Sequence, residues 1–475
     1  MSSHLHAEHA GNERNTAACQ KRAVRPYILL FVLLTVVYHS NLRPIASGDS
    51  LPASLVPFSV LLDGSIRLDR FGPYVREHVW YGAAVVEKTG GHWYSGYPIA
   101  GPVLATPLYL PIAFVPGIRQ QSPATLLAIA RMAEKVVAAA LAAAAALALL
   151  SLLRRIAPGR AAWILTLVFA FGTSNWSGSS QALWQHTFGD LAIIGWLYSI
   201  ERLGDSDRRA RWCWAAGVCA ACALAIRPTN GFLLPALALV LWLQSARVVD
   251  YFRAFVPSAL AAIAIAGYNF AVFHHLRGGY RTVPLNGNPL EGLLGLLFSP
   301  GRGLLVYTPI AFFSLAAFSP RARERLRQHR LVVVGASSFS LLHISFFTVF
   351  PMWWGGYCWG PRLLTEILPP VMVLMAVGLP AIRGRAMTSA FTAVALYCCF
   401  VQALGVYCYP KGRWDQLPVS VDMDPARLWN WKDNPLIRTA RGGIAWEPYS
   451  IVAAAVRGGP AAAAKKLKQL GINPY

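Results

Sequence analysis

The stretch YPIAGPVLATPLYLPIAFVPG, residues 97–117, is apolar and long enough to cross a bilayer, and whether it does so decides the topology of the whole chain. Counted as a crossing, it moves every later arginine cluster to the opposite side of the membrane. Pro98 is followed by Pro102, Pro107, Pro111 and Pro116, at intervals of four or five residues. Each proline removes a backbone donor and crowds the preceding turn, so a broken or re-entrant segment on the outer surface is expected instead of a span.

Eleven other apolar runs flank it, near residues 27–41, 125–152, 161–178, 185–200, 212–226, 230–245, 254–273, 303–319, 331–349, 363–380 and 387–408. The connections RRIAPGR, ERLGDSDRRAR, RVVDYFR, RARERLRQHR and RGR hold sixteen Lys and Arg, and the N-terminal head adds four. Connections of the opposite parity hold five: SNWSGSSQALWQ, RPTN, 274–302 and 351–362. By the positive-inside rule the N-terminus is cytoplasmic, and the first long loop and the C-terminal tail face the other side. That solution exists only with 97–117 left out of the count.

Composition points the same way. Hydrophobic residues are 55% and charged residues 13% of 475, a charge content too low to cover a soluble protein of this length. The formal charge of +22 sits in short clusters between apolar runs, which is the pattern of orientation signals and excludes nucleic acid as a partner. The eight cysteines show no paired zinc-site spacing, and those inside apolar runs read as small buried hydrophobes. The head runs into the first apolar run without a small-residue cleavage site, so that span stays as an anchor.

The expected protein is therefore an all-α polytopic membrane protein with about eleven transmembrane helices, interfacial helices in its first outer loop and a small C-terminal outer tail. Its parts are a cytoplasmic head (1–26), a transmembrane domain (27–408) that includes the outer loop 42–122, and an outer tail (409–475). Transmembrane location makes membrane lipids partners throughout.

The first loop opens with SGDSLPASLVPFSVLLDGSIRLD, 47–69. Leu51, Leu55, Phe58 and Leu62 recur at helical spacing, Pro52 suits a first turn and Gly64 suits a stop, so a short amphipathic helix lying at the interface is expected. Asp49 stands at its start. One reading makes it a helix cap; the other makes it a general base at the membrane surface.

Other polar residues gather at the same predicted depth. His92, Tyr94 and Tyr97 lie in a glycine-rich turn, which also fits an aromatic belt. His186 and Asp190 fall four apart at a helix end. Arg131, Lys135, Arg227, Arg302 and Arg362 come from distant parts of the chain, and each alone reads as a snorkelling anchor. Together they suit a phosphate or diphosphate, to which guanidinium groups bring charge and paired donors. A carboxylate beside a phosphate-binding ring fits transfer of a sugar from a lipid phosphate to an acceptor hydroxyl. The alternative is a transporter or flippase of an anionic lipid or solute, for which paired broken helices and midplane charges are expected. No spacing argues for a metal, and no cofactor is expected beyond the lipid-linked donor.

The order of parts resembles the GT-C superfamily of polyprenyl-phosphate-sugar-dependent glycosyltransferases, which includes protein O-mannosyltransferases and the aminoarabinose transferases of lipid A. GDSLPASLVPFSVLLDGSI is similar to the start of that family's first outer loop, and the resemblance implies that Asp49 takes the place of the catalytic acid. Ser50 stands where members often carry a second acid. HWYSGYPIAGPVLATPLYLPI resembles the following proline-rich interfacial segment. LAIRPTNG looks like the place of a basic residue that contacts the lipid phosphate, which carries that role to Arg227. WWGGYCWGPRLL is similar to a segment before a late span in bacterial relatives. The resemblance further implies an inverting transfer, a bacterial inner membrane, a periplasmic active site and C-terminus, and a glycan, lipid or protein acceptor.

Overall fold

The computed structural model describes residues 24–45, 47–79, 82–204, 208–279, 284–409 and 413–470. Of the predicted head, 1–26, all but the last three residues lie outside the described residues.

All eleven apolar runs are helical. In order they are Val24–His39, Pro123–Ile156, Gly159–Gly172, Gln185–Arg202, Arg209–Ile226, Pro228–Leu243, Val248–Phe273, Leu304–Tyr307 with its continuation Pro309–Phe318, Arg330–Thr348, Arg362–Ala381 and Arg385–Tyr407. Among the described residues five are long and apolar enough to cross a membrane: Pro123–Ile156, Val248–Phe273, Arg330–Thr348, Arg362–Ala381 and Arg385–Tyr407. The chain is an all-α integral membrane protein.

Local chemistry explains the longest helix. Ser122 accepts the Thr125 N–H at 3.2 Å and Pro123 follows at the first turn, while Arg154 and Arg155 occupy the last turn, where the exposed carbonyls favour cations. Its 34 residues span about 50 Å, well beyond a hydrocarbon core of roughly 30 Å. One end therefore stands clear of the bundle and carries a second core. Small residues let the other helices approach closely, as at Gly217, where a Cβ would meet the Ala254 carbonyl oxygen at 2.4 Å.

The second core is built on that projecting end. Leu126, Leu127 and Ala130 pack with Leu51, Leu55, Phe58 and Leu62 of the Ser50–Asp63 helix and with Val75, Val86 and Tyr109 of the same loop. The Ser50–Asp63 helix ends at Gly64 (φ 64°), whose N–H caps Ser59 and Val60 carbonyls. It departs from the expected surface helix in one respect: Ser50, Ser54, Val56 and Ser59 are buried along with its apolar stripe. The reason is that the 97–117 segment and the Pro123–Ile156 helix both pack against it, and Arg131 of the latter bonds Ser50. That segment is broken into the helix Ala100–Ala105, a 3-10 turn Thr106–Tyr109 and the helix Leu110–Ala113. Pro102 and Tyr109 turn inward, and Val103, Leu104, Leu108 and Phe114 turn out.

The tail packs back on two connections. Leu428 O accepts from Ser299 Oγ (2.6 Å) and from Gly301 N (3.2 Å). Trp354 Nε1 donates to Asp422 (2.8 Å), and the Tyr357 and Ser420 hydroxyls are 2.7 Å apart.

Candidate functional site

A cleft opens where four pieces of chain meet. Asp49 and Ala53 form one wall, Tyr97, Pro98, Gly101 and Pro102 the second, Leu183, Gln185 and Phe188 the third, and Ile226 closes the end. Gly101 allows the second and third walls to touch, because a Cβ there would lie 2.7 Å from the Phe188 ring.

Asp49 occupies the N-cap position of the Ser50–Asp63 helix yet makes no side-chain capping bond. Its Oδ2 accepts a hydrogen bond from Arg362 Nη1 at 2.8 Å, across 313 residues of sequence. Arg362 opens the 3-10 turn Arg362–Ile367, and its guanidinium lies 5.1 Å from the centre of the Trp184 ring. Beside it, Arg131 Nη1 donates to Ser50 Oγ (3.2 Å) and to Glu134 Oε2 (2.9 Å). Asp49, which lines the cleft, is therefore paired with one guanidinium group and adjoins Ser50, which holds the second.

A buried polar cluster stands behind this wall. Glu366, four residues past Arg362 in the same turn, has no exposed surface. Its Oε1 is 2.8 Å from His186 Nδ1 and pairs with Arg227 Nη1. Arg227 Nη1 is also 3.1 Å from His186 Nδ1, and its guanidinium lies 5.4 Å from the centre of the Phe347 ring. His343 Nε2 bonds the Leu363 carbonyl at 3.0 Å and is 3.9 Å from Glu366 Oε2. Asp190 Oδ2 accepts from Ser179 Oγ at 3.1 Å.

The other predicted site residues take different places. Lys135 is buried and donates to the Ser180 carbonyl (3.2 Å) and to Gln181 Oε1, so it fastens the connection that leads into the third wall. Arg302 is fully buried away from solvent, bonded to the carbonyls of Gly301 (2.8 Å) and Gly356 (3.1 Å) and to Asp415 of the tail. Tyr94 is buried, edge-on to Phe273 at 6.2 Å. His92 sits on the hairpin of Val86–Thr89 and His92–Ser95, its Nδ1 2.8 Å from Asp69 Oδ2. Partial burial pushes the Asp69 carboxyl up, but the Trp93 N–H at 2.7 Å and His92 outweigh it and hold it below the usual carboxylate range. Tyr97 lines the cleft.

Ser50, Trp184 and Gln185 belong to the site or its frame, and residue type alone does not mark them. Glu366 does carry a signal in the sequence, an acid beside Arg362 at the outer mouth of a span.

No protein-family model and no curated protein sequence matches the chain. Among solved structures it is similar to ArnT from Cupriavidus metallidurans bound to undecaprenyl phosphate, at 12% identity and a TM-score of 0.49, over 88% of this chain and 75% of that one. It is also similar to the oligosaccharyltransferase AglB from Archaeoglobus fulgidus, in complex with an inhibitory peptide and a dolichol-phosphate, at 12% identity and a TM-score of 0.45. There it covers 85% of this chain and 59% of the other.

Proposed function

We propose that the chain is a membrane glycosyltransferase of the GT-C type, which moves a sugar from a polyprenyl-phosphate carrier to an acceptor hydroxyl on the periplasmic side of a bacterial inner membrane. The observation that carries this reading is the meeting of Asp49 and Arg362 at a cleft, with Arg131 beside them on Ser50.

In this reading the donor phosphate competes with Asp49 for Arg362. Once the phosphate has taken the guanidinium, the carboxylate is free to accept the proton of the acceptor hydroxyl. The hydroxyl oxygen forms the new bond to the anomeric carbon as the bond from that carbon to the phosphate oxygen breaks, with inversion. Arg362 meets the charge that develops on the departing phosphate, and Arg131, still paired with the buried Glu134, adds positive charge beside it. Tyr97 and Gln185 are placed to contact the sugar or the acceptor.

The test is release of undecaprenyl phosphate from undecaprenyl-phosphate sugars by the purified protein in lipid nanodiscs, with a crude envelope extract as acceptor. Asp49→Asn keeps the shape of the side chain and removes the base. Loss of release with an unchanged elution profile supports the reading; wild-type release by that variant overturns it.

A further inference from the structure

Arg227, His186 and Glu366 have a part to play that the cleft itself does not display. Resting on the glycosyl-transfer reading, we propose that they form a positioning network that sets Arg362 against Asp49, and that Arg227 is not a ligand of the donor's phosphate.

Connectivity carries the inference. The three residues come from the start of the Gln185–Arg202 helix, the corner after the Arg209–Ile226 helix and the Arg362–Ile367 turn. Each has a close neighbour in chain at the cleft or bonded to it: Gln185 precedes His186 and Ile226 precedes Arg227 in the cleft wall, and Arg362, which bonds the cleft residue Asp49, lies one turn before Glu366. A single oxygen, Glu366 Oε1, meets both His186 Nδ1 and Arg227 Nη1, so one carboxylate ties two walls of the cleft to the turn that carries Arg362. Trp184 adds a fourth link, since its ring lies against the Arg362 guanidinium and its residue opens the His186 helix.

Burial separates this cluster from the cleft pair. Arg227 is 6% exposed and Glu366 fully buried. A phosphate reaching Arg227 would have to displace a buried carboxylate that has no water to receive it, whereas one reaching Arg362 displaces a carboxylate that opens on the cleft. The cluster therefore fixes geometry, and the cleft pair exchanges partners.

The two roles for Arg227 predict opposite signs for one substitution. If Arg227 bound the phosphate, Glu366→Gln would remove a competing negative charge and tighten the binding of undecaprenyl phosphate. If the cluster positions Arg362, Glu366→Gln loosens that turn and weakens binding. The experiment measures undecaprenyl phosphate binding to the full chain in nanodiscs for wild type, Glu366→Gln, Arg227→Lys, Arg362→Ala and the Glu366→Gln/Arg227→Lys pair, with release of undecaprenyl phosphate followed in parallel. Expected are a weakening of about tenfold for Glu366→Gln, and a double variant no weaker than the worse single one, because the residues act as a unit. The maximal rate should fall further than the donor KM rises. Tighter binding in Glu366→Gln, or losses that multiply in the double variant, overturns the positioning role. Should Glu366→Gln fail to fold, His186→Gln cuts the other tie and must weaken binding in the same way; unchanged binding there also overturns the proposal. Wild-type protein that binds no undecaprenyl phosphate, or binding indifferent to Arg362→Ala, would instead refute the glycosyl-transfer reading itself.

Discussion

Two arginine–carboxylate pairs sit at the loop-bearing end of this molecule, and they differ mainly in burial. In the cleft pair Arg362 and Asp49 retain 20% and 30% of their side-chain exposure, and the carboxylate opens on a cavity. In the tail pair Arg302 and Asp415 retain 0% and 5%, with the guanidinium 5.5 Å from the Trp414 ring centre and further bonded to two carbonyls. Tyr409 donates to the other oxygen of Asp415 at 2.6 Å. Partial exposure leaves the first pair able to change partners. Near-complete burial, with the guanidinium held by Asp415 and two carbonyls, makes the second a rivet between the tail and the connections that lead to Arg362.

The comparison can be broken at several points. Asp49→Asn should produce the largest effect, a loss of about 10²–10⁴-fold in sugar transfer, the usual contribution of a general base, with little change in melting temperature. Asp415→Ala should do the reverse. It strands a buried guanidinium, so stability falls by about 3–5 kcal/mol, read as a lower melting temperature and as proteolysis of the tail, and activity falls only as the fold does. Equal effects of the two substitutions on stability would erase the distinction drawn between the pairs.

Arg362→Lys sharpens the contrast on the cleft side. A lysine keeps the charge but loses the planar fork, and a weakening of donor binding of about tenfold is expected, the scale of one charge-assisted hydrogen bond. Titration of donor binding checks it. The smallest effect belongs to the Asp69–His92 contact on the hairpin, which is exposed and distant in role from both pairs. The Asp69 carboxyl is held below its ordinary value, so its contribution is complete at pH above the unfolded carboxylate range and is lost as pH falls through the depressed native value. The loss should stay under about 1 kcal/mol and appear as faster amide exchange in residues 86–95 at acid pH, with no change at neutral pH.

Much of this was legible in the chain, and the illegible part has a common cause. The proline spacing in 97–117 foretold a broken segment, and Gly64 foretold the helix stop, because both are decided within a few residues. Asp49 read equally as a cap or a free acid. The structure gives it to Arg362, a partner 313 positions away that no local rule reaches. The five cations formed one class by predicted depth, yet they divide three ways. Arg362 holds the cleft carboxylate Asp49 and Arg131 the adjoining Ser50, Lys135 and Arg302 fasten connections, and Arg227 is held by Glu366. Depth along the chain is readable from hydropathy, but burial depends on what folds over a residue. For Arg302 that cover is Asp415, 113 residues later.

The amino-acid order alone determined the membrane setting and the apolar runs that become helices, since hydropathy and backbone chemistry act over short distances along the chain. Only the packed molecule decided which cation meets which carboxylate and which pair faces a cavity. Those choices depend on contacts between helices far apart in sequence, because burial, which separates an exchangeable ion pair from a sealed one, is set by what folds over it.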